Sequence, residues 1–168
     1  MSVIWTTPRT WVTGELVTAA LLNTHLRDNM DYLKAEADRY WNQTALVAAA
    51  SYSTTSTTFV DVDGVNLAGT IVTRGGPVLF AVSSAWKHSN LGMDCALDLW
   101  LNGARIGGGY GVSLMHAAGA NLYQPLSWLT VQALPAGTHS FRLQWRTNSG
   151  TLTMGTLVPV TLLALELA

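Results

Sequence analysis

Asp94-Cys95-Ala96-Leu97-Asp98-Leu99-Trp100-Leu101-Asn102-Gly103 is the stretch that decides the fold. Cys95, Leu97, Leu99 and Leu101 recur at every second position, opposed by Asp94, Ala96, Asp98 and Trp100. A period of two puts the apolar set on one face of a strand and the other set on the opposite face. Asn102-Gly103 then ends the strand with the dipeptide that most strongly favours a two-residue hairpin.

Phe141, Leu143 and Trp145 oppose Ser140, Arg142, Gln144 and Arg146 in the same way. Strands are expected at 59–62, 67–73, 78–86, 94–101, 105–110, 127–133, 139–147, 151–154 and 158–167. They are separated by turn formers such as Asp63-Gly64, Arg74-Gly75-Gly76-Pro77, Leu134-Pro135-Ala136-Gly137 and Asn148-Ser149-Gly150. Short strands at this spacing predict a mainly β chain folded as a jelly-roll-like β-sandwich.

Two of these strands break the half-buried pattern. Val78-Leu79-Phe80-Ala81-Val82 and Val158-Pro159-Val160-Thr161-Leu162-Leu163-Ala164-Leu165 are apolar on both faces. A sandwich strand normally keeps one wet face, so a second apolar face calls for more protein to cover it. In a domain of this size an identical subunit is the simplest cover, with Leu163, Leu165 and Trp100 as its contacts.

The N-terminal part reads differently. It holds nine of the nineteen charged residues between Arg9 and Arg39, and the other ten are spread thinly beyond Tyr40. Pro8 disfavours helix at Thr7, so Trp5 to Trp11 is expected to be an extended arm. Thr18 is placed to cap one α-helix running from about Ala19 to Asp38. Ala19, Leu22, Leu26, Asn29, Leu33 and Glu36 follow steps of three and four, the pattern of a coiled-coil seam with a register-setting Asn. The competing reading is a single amphipathic helix with Leu22, Leu26, Met30 and Leu33 packed on its own domain. Residues 45–58 read as a linker containing at most an edge strand. The division expected is 1–44 for arm and helix and 45–168 for the sandwich.

Composition narrows the function classes. Charged residues make up only 11 % of the chain and the net charge is −1, so no electrostatic footprint for nucleic acid exists. No apolar run approaches the ~20 residues of a membrane span, so no membrane insertion is expected. The first residues lack a basic region followed by a long apolar stretch, and the reading expects no signal peptide and synthesis in a host cytoplasm. The single Cys95 lies in an apolar alternation and reads as a core thiol.

The string Trp5-Thr6-Thr7-Pro8-Arg9-Thr10-Trp11, continuing through Gly14-Glu15, Thr18-Ala19, Leu22-Asn23 and His25-Leu26-Arg27-Asp28-Asn29, resembles a segment at the N-terminus of tailed-phage and prophage virion proteins. That resemblance covers about the first sixth of the chain and implies a place in the virion rather than any chemistry. The later part, with its ending Thr161-Leu162-Leu163-Ala164-Leu165-Glu166-Leu167-Ala168, is similar in pattern to jelly-roll heads of phage fibres and tumour-necrosis-factor-like trimers.

Catalytic and cofactor signatures along the chain are incomplete. Asp61-Val62-Asp63-Gly64 has the start of a calcium loop, but its twelfth position is Val72 where a Glu is needed. His25, His88, His116 and His139 lack zinc-ligand spacing. Gly107-Gly108-Gly109-Tyr110-Gly111 lacks the Lys-Ser/Thr of a phosphate loop, and no nucleophile elbow occurs. No catalytic residue, metal or cofactor is assigned.

The function expected is therefore a non-enzymatic structural virion protein of a tailed phage, in the tail fibre, tail tip or capsid decoration. Its partners are itself, as a homotrimer, and other capsid or tail proteins. Leu22, Leu26, Asn29, Leu33, Trp100, Leu163 and Leu165 are the expected oligomer contacts. Trp5, Pro8, Arg9 and Trp11 are the expected virion-attachment residues, because two tryptophans on an arm are costly to leave in water, and the competing reading docks the arm back on its own helix. The alternative is a carbohydrate- or receptor-binding fibre head that meets a host surface glycan. Tyr110, His116, Tyr123 and Gln124, in the long loop region, are its expected contacts.

Overall fold

The computed structural model describes residues 5–39 and 42–167. The chain divides into two compact units, residues 1–41 and 42–168. The boundary lies a few residues before the expected one, because the supposed linker supplies two strands, β1 (Gln43–Ala48) and β2 (Tyr52–Thr54).

In the first unit the helix starts as α1 (Ala19–Leu22), passes through a π-helical turn at Asn23–Arg27 and continues as α2 (Asp28–Arg39). Thr18 caps it as expected, its hydroxyl accepting from the Leu21 amide at 3.3 Å. The arm packs along this same helix. Trp5 meets Tyr32 at 5.7 Å between ring centroids and Trp11 meets His25 at 6.2 Å. Asn29 is buried between them, donating to the Thr6 carbonyl and accepting from the Thr6 amide, both at 2.9 Å. In the single chain the arm thus has a docking surface on its own helix. The Asn29 amide satisfies the extended Thr6 backbone, which has no ladder partner of its own. Leu22, Leu26, Met30 and Leu33 form a separate, exposed stripe. The Glu36 side chain lies outside the described residues.

The second unit is a sandwich built around one long ribbon. Its strands, after β1 and β2, are β3 (Val60–Asp61), β4 (Ala68–His88), β5 (Asp94–Leu101), β6 (Ala104–Arg105), β7 (Ser113–His116), β8 (Gln124–Arg146), β9 (Leu152–Met154) and β10 (Val160–Glu166). β4 and β8 run antiparallel in one continuous register from Ala68↔Arg142 to Trp86↔Gln124. Phe80 and Phe141 lie eleven rungs apart on this ribbon, about 37 Å if it were straight. Their ring centroids are 5.4 Å apart, so the ribbon folds over and its two halves face each other.

The fold-over occurs where four expected strands were thought to be separated by turns. Thr73 and Ile71 point inward before Gly75-Gly76, whereas Val78, Phe80 and Val82 do so after it. The buried positions thus change from odd to even. Gly75 permits this phase change with φ +101°, and a Cβ there would press on the Ala136 amide. One half of the ribbon joins β10 and β1 in the first layer, in the order β1-β10-β4-β8. The other half joins β5 and β3 in the second layer. Their inner faces, with Val160, Leu162 and Ala164 opposite Leu97, Leu99, Leu143 and Trp145, make one buried core. This is the mainly β, jelly-roll-like architecture expected, preceded by an arm and a helix.

β5 occupies the expected residues, and its Asn102-Gly103 turn has positive φ at both positions. The Asn102 amide also donates to His139 and accepts from the Ser140 amide, tying the hairpin to β8. The strand expected at 105–110 is reduced to the two residues of β6, because Gly107 to Gly109 supply no side chains to pack.

Candidate functional site

The sandwich presents two outer faces of opposite chemistry. Outward positions of the first layer lie in register across four strands. One row is Ala45, Leu163, Ala81 and Leu129, and its neighbour is Gln43, Leu165, Leu79 and Val131. Val47, Thr161, Ser83 and Ser127 flank them on one side, and Pro77 and Ala133 on the other. None of these fourteen residues is charged. Val47 is 63 % exposed and Leu129 67 %. Four strands about 4.8 Å apart and six or seven residues of height give a patch on the order of 400 Å².

Leu163 and Leu165 therefore sit where the two-sided apolar pattern placed them, at the middle of this patch. Trp100 does not. Leu97, Leu99 and Leu101 fill the core, so Trp100 projects from the outside of the other layer. There the Arg142 guanidinium covers its ring at 4.0 Å. Trp100 and Leu163 lie on opposite sides of the sandwich.

The outside of the second layer is polar and arginine-rich. β8 contributes Arg142, Gln144 and Arg146, whose rungs on β5 are Trp100, Asp98 and Ala96. Asp61, on β3, accepts from Gln144 at 2.7 Å and pairs with Arg142 at 3.1 Å. Asp98 is fully buried under the glycine-rich loop. Burial pushes its carboxyl up from the usual carboxylate range, opposed by hydrogen bonds from the Gly107 and Leu99 amides and by Arg105. Those amides donate to one Asp98 oxygen at 2.9 and 2.8 Å, and Arg105 donates to the other at 3.0 Å. The carboxylate thus fixes both the loop and the Arg105 side chain.

Above it opens a pocket of 440 Å³ lined by Thr57, Thr58, Phe59, Arg105, Gly109 and Arg146. Phe59 is flanked by two guanidinium groups, Arg105 at 4.3 Å and Arg146 at 5.4 Å. Arg146 also lies 5.7 Å from the ring of Tyr110 and donates to the Gly109 carbonyl at 3.1 Å. Arg105 has Asp98, and Arg142 has Asp61. Arg146 has no carboxylate partner among the described residues. The sequence reading missed Phe59, Arg105 and Arg146. The available signal was the Arg142-Gln144-Arg146 alternation facing away from the core.

The four expected receptor residues do not form one site. His116 pairs with Asp94 at 2.9 Å, and Gln124 reaches the His116 carbonyl at 3.5 Å. Tyr123 stacks with Lys87 at 4.9 Å, next to Gln124 on the chain. Tyr110, 64 % exposed, lies instead 5.7 Å from the Arg146 guanidinium. In the first unit, Arg9 bonds to Glu15 and lies 5.3 Å over Trp11, and Pro8 is exposed beside them.

The acidic turn does not have free ligands. Asp63 accepts from the Val65 and Asn66 amides, the Asn66 side chain and the Tyr52 hydroxyl, at 2.8 to 2.9 Å. These donors hold its carboxyl far below the usual range, the Asn66 side chain contributing most. Among the described residues no group of three or more His, Cys, Asp or Glu side chains could hold a metal ion. No helix among them is long and apolar enough to cross a membrane.

Comparison with protein-family models gives no match, and comparison with curated proteins gives none. Among solved structures, the chain is similar to an Eiger TNF from S. frugiperda, at 16 % identity and TM-score 0.43, over 76 % of this chain and 94 % of that one. It is similar to a structure of infectious bursal disease virus Gx strain, at 16 % identity and TM-score 0.39, over 75 % of this chain. It spans 36 % of the length of that viral chain. It is also similar to the CBM36-1 domain of a multidomain xylanase from the hindgut metagenome of Trinervitermes trinervoides, at 14 % identity and TM-score 0.34, over 68 % of this chain and 97 % of that one. At such TM-scores these likenesses say nothing of what this chain binds.

Proposed function

We infer that the chain is a structural virion protein of a tailed bacteriophage, a tail-fibre, tail-tip or capsid-decoration component. It assembles as a homotrimer and is attached through its N-terminal segment. The observation that carries the reading is the charge-free outer face centred on Leu163 and Leu129. Apolar patches of several hundred Å² mark interaction surfaces, and the cores of such interfaces are depleted of charge. A face without charges repels nothing in an identical copy, so a second copy of this chain is its occupant. The number three and the virion setting are supported by the two resemblances in the sequence. The work is mechanical and adhesive.

Purified particles test this reading. The chain is expected among their proteins, and deleting its gene should yield particles that lack it and are less stable or fail to assemble. Removing residues 1–39 should weaken retention on particles while leaving the sandwich folded. Absence of the chain from washed particles would overturn the assignment.

A second reading, a receptor-binding head, is favoured by the pocket around Phe59. It lies on the layer opposite the apolar face and stays open when that face is covered.

A further inference from the structure

We propose that the pocket lined by Phe59, Arg105 and Arg146, with Tyr110 beside Arg146, binds a carboxylate-bearing saccharide, with Arg146 as the carboxylate-recognising group. The proposal deepens the receptor-binding reading and rests on it. Its starting point is the charge of Arg146. Of the three arginines on this face, Arg105 is matched by Asp98 and Arg142 by Asp61, and Arg146 has no carboxylate partner among the described residues.

One fixed positive charge suits a single carboxylate better than a phosphate dianion. A planar guanidinium receives a carboxylate through two parallel N–H···O bonds. Arg146 is held ready for this, donating to the Gly109 carbonyl at 3.1 Å and flanked by the rings of Phe59 and Tyr110. Ordering is therefore largely done before a ligand arrives. Around the cation stand the complements of a sugar ring. The exposed Tyr110 offers an aromatic face to its C–H surface beside the pocket, and Thr57 and Thr58 line it. The volume of 440 Å³ lies in the range of small-ligand sites. The buried Asp98 carboxylate fixes the loop that forms one wall, through the Gly107 amide.

The test is calorimetric titration of the full chain with tri-galacturonic acid and with 3′-sialyllactose. The controls are the methyl ester of the former, lactose and inorganic phosphate. At least one acidic sugar should bind at least tenfold more tightly than its neutral counterpart, and phosphate should not compete. Arg146→Gln should lose that preference at least tenfold. Tyr110→Ala, at an exposed position, should weaken binding without altering the fold and decides the matter if Arg146→Gln does not fold. Lys87→Gln, at the Tyr123 contact, should change nothing. Equal binding of acid and neutral sugar, binding of neither acid, displacement by phosphate, or an unchanged Arg146→Gln would each overturn the proposal. None of these outcomes bears on oligomer mass or particle membership, so the trimer and virion reading stands or falls separately.

Discussion

Leu129→Lys separates the apolar face of the sandwich from the fold that supports it. Leu129 ends the row Ala45, Leu163, Ala81, Leu129 and is 67 % exposed in the single chain. Fully burying a leucine side chain is worth about 1.5–3 kcal/mol, so covering the exposed two-thirds is worth about 1–2 kcal/mol per copy. Over three copies the loss is about 3–6 kcal/mol, before the added cost of bringing three ammonium groups out of water. At 1.4 kcal/mol per tenfold, trimer association should fall by at least about a hundredfold to ten-thousandfold. Within one subunit the same change touches solvent only and should stay within about 0.5 kcal/mol. Light scattering over roughly 1–100 µM protein, with thermal melts followed by circular dichroism, reads the two effects apart. The variant should dissociate to folded monomers at the low end of that range. A variant that keeps the mass of the wild type throughout would refute the assignment of this face, and one that unfolds would refute the claim that Leu129 is not core.

Three further outcomes follow from local geometry. Gly111→Ala should destabilise the sandwich by about 2–3 kcal/mol, because the residue has φ +78° and a Cβ would overlap the Leu97 carbonyl. In a thermal melt that is a fall of roughly 5–10 °C, whereas Gly109→Ala, with open space around it, should change little. Asp63 has a lowered folded-state pKa, so its contribution is present above the unfolded value near ~3.9 and is lost as pH falls below it. Asp63→Asn should therefore lower the urea midpoint at pH 7, with the gap to wild type closing toward pH 2. Cys95 is fully buried and its thiol is pushed far up by burial, so a thiol reagent should label it only in denaturant. Rapid labelling of the native chain would place the strand wrongly.

The parts of this fold that were legible in the sequence are those set by neighbours on the chain. The Cys95-Leu97-Leu99-Leu101 alternation and Asn102-Gly103 gave β5 and its turn, and Thr18 gave the helix start. The parts that were not legible depend on contacts between distant segments. Arg74-Gly75-Gly76-Pro77 reads as a break between strands, yet the ladder continues through it because Leu134 to Gly137 bends in step on the other side. The Ala45–Val47 stretch lacks a strong strand pattern, since its outer residues join the apolar face and only Thr44, Leu46 and Ala48 turn inward. For the candidate surfaces, two-sided hydrophobicity located Leu163 and Leu165. Trp100, on a polar face, was not part of that signal, and the Arg142 guanidinium covers its ring. The Phe59 pocket draws on three separate stretches of chain, and no single one of them carries its signature.

The most direct test of the central claim is the mass of the full chain in solution at micromolar concentration, by light scattering or native mass spectrometry. Three copies of an 18.0 kDa chain predict about 54 kDa. A compact monomer of 18.0 kDa that persists on concentration, with Leu129 and Leu163 open to solvent exchange, would contradict it.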